Sequence, residues 1–96
     1  MGNRQYFVYI MTNKNNNVIY TGMTNNLVFR VFQHKNKLLK GFTNRYNCVK
    51  LVYYEIYDDP YSAITREKQI KAGSRKKKLE MIEKNNPLWK DLSNEF

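Results

Sequence analysis

One cysteine, Cys48, stands in a chain of 96 residues that also holds only two prolines, four glycines, one tryptophan and one histidine, His34. A lone cysteine excludes an internal disulfide framework and a cysteine-rich zinc site, so a reducing, cytoplasmic setting is expected. Long apolar runs are lacking too. Nowhere do the roughly 18 consecutive apolar residues of a membrane helix occur, and the opening "MGNRQYFVYIMT" has no small-residue cleavage pattern, so no membrane partner is expected. With 42% hydrophobic residues the chain has enough material for a compact core and too little for two domains without disulfides or a structural metal. A single domain over 1–96, with its core at about 5–84, is the expectation.

Acid is the most informative absence. No Asp or Glu precedes Glu55, whereas eight Lys or Arg do, and the net charge is +9. The stretch "REKQIKAGSRKKK", Arg66 to Lys78, adds seven basic residues against one acid, within helix-forming sequence. Such a field favours a polyanion through counterion release, whatever its sequence. A basic surface that only keeps the chain solvated is the plainer alternative. An anionic membrane fits less well, because no helix sets a basic face against a large aromatic one.

What is present reads as an α+β domain. "QYFVYIMT", residues 5–12, carries apolar groups on both faces of a period-two pattern, as in a strand covered on each side. "VIYTGMT", 18–24, follows across "NKNNN", whose asparagines tolerate left-handed turns, so an antiparallel hairpin is expected. It places Tyr9 and Tyr20 on adjacent strands. Thr24 or Asn26 caps a helix over about 26–36, with Leu27, Val28, Val31 and Phe32 as its buried stripe and Arg30 and His34 one turn apart on its flank. Residues 37–48 read as a loop over the sheet. A third strand, "VKLVYYEIY" at 49–57, again looks apolar on both faces. Asp59 and Pro60 then open a helix that stops at Gly73, and Ser74 caps a last helix from about Arg75 with Leu79 and Ile82 inward. The order β-β-α-β-α-α predicts a small sandwich of one three-stranded sheet with flanking helices.

Glu67 breaks the pattern. It falls among Ala63, Ile64 and Ile70 on one helix face, where a core residue is expected. A buried carboxylate needs a partner. One reading is an i,i+4 pair with Lys71; the other is an oxygen ligand for Mg²⁺, which takes one or two carboxylates and completes its shell with water and phosphate. Arg30 has no acid near it in sequence, and a lone histidine such as His34 is commonly a satisfied core or edge group.

Taken together, these residues resemble the GIY-YIG nuclease family along nearly the whole chain. "FVYI", Phe7 to Ile10, stands for the first motif and "YTG", Tyr20 to Gly22, for the second; Arg30, His34 and Glu67 follow in the family's order. "LVYYE", "REKQIK" and "NPLW" make the chain similar to the small stand-alone bacterial members. Phe7 replaces the glycine of the first motif and Thr21 the middle residue of the second, departures usual in that branch. The family's asparagine near the domain end corresponds to Asn86, with Asn85 adjacent.

The resemblance implies a metal-dependent endonuclease acting on nucleic acid, DNA foremost, by a one-metal mechanism. Glu67 would hold one Mg²⁺ or Mn²⁺ and Arg30 would neutralise the scissile phosphate. Tyr9 would be the general base, made more acidic by nearby positive charge, with Tyr20 and His34 orienting it or relaying the proton. Which tyrosine dominates is open. Gly22 would let a phosphate or the first helix approach the strand, and Asn86 would have a structural part. Lys35, Lys37, Lys40, Arg45, Arg75, Lys76, Lys77 and Lys78 would hold the backbone, with Phe42 and Tyr46 available to stack on an unpaired base. The rival readings are a non-catalytic nucleic-acid-binding module and a nuclease activated by a protein partner that supplies substrate choice; the chain itself would be a monomer or weak dimer. A purely structural interaction protein would show an apolar patch, and the sequence offers charge instead.

Overall fold

A computed structural model describes residues 4–96. Its elements are β1 (Tyr6–Thr12), β2 (Ile19–Thr24), α1 (Leu27–Lys35), α2 (Phe42–Arg45), β3 (Lys50–Tyr57), α3 (Pro60–Ala72), α4 (Arg75–Asn85) and a C-terminal 3-10 turn (Leu92–Glu95). The three strands form one antiparallel sheet in the order β2-β1-β3. The fold is α+β, as expected, with helices on both faces.

The local chemistry explains most of the boundaries. In the first hairpin, Asn13 Oδ1 accepts from the backbone N–H groups of Asn17 at 3.0 Å and Val18 at 3.1 Å, and Asn16 takes the left-handed conformation with φ 59°. Asn26 caps α1 by accepting from the Phe29 N–H at 3.0 Å. Asp59 does the same for Ser62 at 2.8 Å ahead of Pro60, and Ser74 for Lys77 at 3.2 Å.

β1 is the central strand, and each of its faces feeds a separate core. On one face Val8 and Ile10 pack with Val52, Tyr53, Ala63, Ile70 and Ile82 beneath α3 and α4. On the other, Tyr9 and Met11 pack with Leu27, Val31, Cys48 and Leu51 beneath α1. A register shift in β3 opposite Ile10 and Met11 places Tyr53 and Leu51 as their partners, with Val52 as the extra residue.

Five expectations are corrected. The buried stripe of α1 is Leu27, Val31 and His34, whereas Val28 is 59% and Phe32 52% exposed. A nine-residue helix resting on a narrow sheet buries one row at i, i+4 and i+7, and positions 28 and 32 are rotated about 100° away from it. Residues 37–48 are not loop throughout, since they contain α2 with Thr43 buried. β3 is covered on both faces only in its first half; in its second half Tyr54 and Ile56, on the face that carries Tyr9, are exposed. Ile64 likewise turns outward from α3, and Leu79 is only half-buried beside the buried Ile82.

After α4 the chain returns to the sheet through Asn86. This buried side chain donates to the carbonyls of Val52 at 3.1 Å and Lys90 at 2.9 Å and accepts from the Lys90 N–H at 3.0 Å. Asn85 is exposed and donates only to the Met81 carbonyl. Asn86→Ala is expected to lower the unfolding free energy by about 2 kcal/mol, because it strands buried backbone groups. Asn85→Ala is expected to change it by less than about 0.5 kcal/mol, both read from chemical denaturation.

Candidate active site

The pairing of β1 with β2 sets Tyr9 directly opposite Gly22. A Cβ at position 22 would lie 2.5 Å from the Tyr9 hydroxyl oxygen and 2.6 Å from its ring carbon Cζ. The glycine therefore makes room for the tyrosine, which corrects the expectation of space for a phosphate or helix. Across that space the Tyr9 hydroxyl reaches His34 Nε2 at 2.9 Å, and His34 Nδ1 meets the Thr43 hydroxyl at 3.0 Å. A neutral imidazole satisfies both contacts with one proton, donating at one nitrogen and accepting at the other. The rings of Tyr9, Tyr20 and His34 form a cluster with centroids 5.6 to 6.3 Å apart.

Burial sets the protonation of the pair. The Tyr9 hydroxyl is pushed well above the ordinary tyrosine range, first by burial and then by Tyr20, with Arg30 opposing and Glu67 adding to the rise. Arg30 thus acts in the expected direction, but burial outweighs it. His34 is pulled down to about 4 by burial and by the positive charge of Arg30. At neutral pH the site holds a phenol against an uncharged imidazole.

Around this pair the side chains differ in access. Tyr9 is 0% exposed, Tyr20 and Arg30 are half-buried, and Glu67 on α3 keeps 20% of its side-chain surface and pairs with Lys71 Nζ at 3.3 Å. The i,i+4 pair is therefore real, and it leaves the carboxylate at the border of the site, close enough to act on Tyr9. Tyr20, Thr21, Phe42, Lys71 and Lys78 line a cavity of about 280 Å³ beside the cluster. A larger concavity of about 590 Å³ gathers Lys40, Phe42, Arg45 and Tyr46, and the Phe42 ring bridges the two by stacking on Tyr20 at 6.1 Å and meeting Tyr46 at 4.7 Å.

Other basic residues lie in different settings. Lys35 pairs with Asp91 and Lys37 donates to Asn47. Arg75 donates to the Asn17 carbonyl at 2.8 Å, tying α4 to the first hairpin. Lys76 and Lys77 are exposed. Sequence reasoning missed Thr43, which has no local signature and gains its role only by lying under His34. It treated Lys71 solely as a partner of Glu67, although the ammonium also borders the cavity beside Tyr20.

Among the described residues no three of His, Cys, Asp and Glu converge. The oxygen donor beside the cluster is a single carboxylate, Glu67. That donor set suits a hard cation that fills its remaining positions with water and phosphate oxygens.

The sheet order, the tyrosine pair on facing strands, and the arginine and histidine of the following helix with a glutamate from α3 define a GIY-YIG fold. Residues 5–80 match the GIY-YIG catalytic domain family, and the chain belongs to it. More narrowly, it is 40% identical over 76 residues to UPF0213 protein CPE1444 of Clostridium perfringens, covering 79% of this chain and 81% of that one. It is 38% identical over 79 residues to UPF0213 protein SH2523 of Staphylococcus haemolyticus, covering 82% and 95%. The solution NMR structure of UPF0213 protein BH0048 from Bacillus halodurans has the same fold, with a TM-score of 0.58 at 23% identity over 91% of this chain and 92% of that one.

Between pH 6.5 and about 4 the unfolded chain protonates His34 while the folded chain keeps it neutral. Stability is therefore complete above pH 6.5 and falls as acid is added through that window, by about 3 kcal/mol at most. His34 is the chain's one histidine, and the carboxylates Glu55 and Asp91, held below their ordinary values of 4.5 and 3.8, respond at lower pH. The expected outcome is a melting temperature that drops from pH 6.5 to 4.5 in the wild type and stays nearly flat there in His34→Gln.

Proposed function

We propose that this protein is a metal-dependent endonuclease that hydrolyses phosphodiester bonds in nucleic acid, DNA foremost. The observation that carries the reading is the Tyr9–His34 hydrogen bond beside Arg30 and Glu67, within a domain of the GIY-YIG catalytic family. The net charge of +9 and the basic, aromatic concavity at Lys40 to Tyr46 support a polyanionic substrate.

Arg30 supplies a fixed positive charge with a planar set of donors for the scissile phosphate. Drawing the phosphate to Arg30 brings the attacked bond toward the Tyr9 hydroxyl. Because burial disfavours a free phenolate there, Tyr9 takes a proton from water only as it passes its own to His34 Nε2. This requires the His34 tautomer with its proton on Nδ1, donated to the Thr43 hydroxyl. The uncharged state that burial imposes on His34 keeps Nε2 free to accept. Tyr20, at the rim and lining the cavity with Lys71 and Lys78, orients the substrate.

Glu67 would hold one Mg²⁺ or Mn²⁺, releasing Lys71 toward a neighbouring phosphate. Such an ion, when bound, supplies Lewis-acid neutralisation of the phosphoryl oxygens and of the leaving 3′ oxygen. Lys40, Arg45, Lys76, Lys77 and Lys78 hold the backbone, and Phe42 and Tyr46 stack on a base. Lys35, Lys37 and Arg75 add to the field while engaged with their own partners.

The complete burial of Tyr9 favours one second reading: a domain that binds nucleic acid but cuts only once a partner or the substrate opens the site. Glu67→Gln separates the two. On the nuclease reading it loses Mg²⁺-dependent cleavage by about a hundredfold or more, while nucleic-acid affinity measured by fluorescence anisotropy stays within a few-fold. Cleavage at the wild-type rate in Glu67→Gln contradicts the site assignment, and binding without cleavage by the wild type itself favours the second reading.

A further inference from the structure

The outward face of α1 runs against the charge-rich character of the chain. Val28, Phe29 and Phe32 are each more than half exposed, and the two phenylalanine rings stack on one another with centroids 6.4 Å apart. Beside this ridge lies a groove of about 310 Å³ lined by Phe7, Leu27, Val28, Tyr54, Ile56 and Phe96, with no charged side chain among its walls. Tyr54 and Ile56 of β3 are exposed within it, next to the first residues of α1, and the Phe96 ring meets Tyr54.

We propose that this face is the contact between two copies of the chain, related by a two-fold axis. Ridge and groove are adjacent on one surface, so the ridge of each copy enters the groove of the other and the same residues are used twice. The half-exposed rings and aliphatic groups amount to on the order of 500 Å² of apolar surface per copy, toward the upper end of the largest patch a monomer ordinarily leaves in water. Doubled across a two-fold axis, that reaches about 1,000 Å², the lower bound for a specific interface, so the dimer forms and dissociates with concentration. The groove, whose remaining walls are the uncharged amides Gln5, Asn25 and Asn26, offers no Lys or Arg to a polyanion or to an acidic protein. Two copies of a chain with net charge +9 repel one another on balance, so a face without charged side chains is where they meet at the least electrostatic cost. Arg30, two positions after Val28, projects about 160° away around the helix, and docking leaves both Tyr9–His34 sites open. The inference is independent of the nuclease reading.

Sedimentation equilibrium on the full chain, from low micromolar to millimolar concentration, tests it. The wild type is expected to rise from the mass of one chain toward two, and the Phe29→Ser, Phe32→Ser double variant and the groove variant Ile56→Lys are each expected to stay at one. Circular dichroism checks that each variant is folded. Should the double variant not fold, Ile56→Lys carries the test alone. A wild type that stays at one chain throughout overturns the proposal and leaves the face to a different protein; a dimer that survives in the folded variants overturns it equally.

Discussion

The room made for one hydroxyl organises this domain. Tyr9 sits in the middle strand of three, buried on a sheet that is covered on both faces, and a buried phenol needs both space and a polar partner. Gly22 gives the space, since any side chain there would occupy the position of the Tyr9 hydroxyl. His34 gives the partner and is in turn held by Thr43. The central strand, the edge strand, α1 and α2 are thus joined through one short chain of contacts. The same burial that makes the pair structural also keeps the phenol protonated and the imidazole neutral, because a charge on either group would be buried.

The opposite face of the sheet positions the remaining group. Glu55 on β3 accepts from the hydroxyls of Tyr53 and of Tyr57 at 2.6 Å, and Arg66 of α3 donates to both of its oxygens at 3.0 to 3.3 Å. Burial raises the carboxyl, but these partners outweigh it and hold Glu55 below its ordinary range. Arg66 is therefore fixed, and α3 with it. The next residue, Glu67, is rotated about 100° around the helix, to the border of the tyrosine cluster. A structural ion pair and a candidate metal ligand thus follow one another in sequence and serve different faces.

How much of this was legible follows from the range of each interaction. The strands, the hairpin and the caps Asp59 and Ser74 depend on neighbours within a few residues, and the sequence states them; for α1 it offers Thr24 or Asn26, and the contact to the Phe29 N–H makes Asn26 the cap. The proximity of Tyr9 and Tyr20 followed from a hairpin, although its register did not. Thr43 was out of reach because its function comes from a histidine nine positions away, brought over it by the turn at Lys37 to Gly41. The pairs Glu55–Arg66 and Lys35–Asp91 span 11 and 56 positions, and no local pattern announces them. Val28 and Phe32 misled because hydrophobicity does not reveal how wide a surface awaits a helix. The expectation that the chain lacks an apolar patch failed with them: Val28, Phe29 and Phe32 form one.

The most direct test of the account is cleavage by the wild-type chain of labelled single-stranded, duplex and branched DNA and of RNA, with Mg²⁺ or Mn²⁺ and with chelator. The account predicts cleavage of at least one substrate that depends on the added ion and ceases with chelator. Salt-sensitive binding to every substrate with no cleavage of any, under either ion, would contradict it.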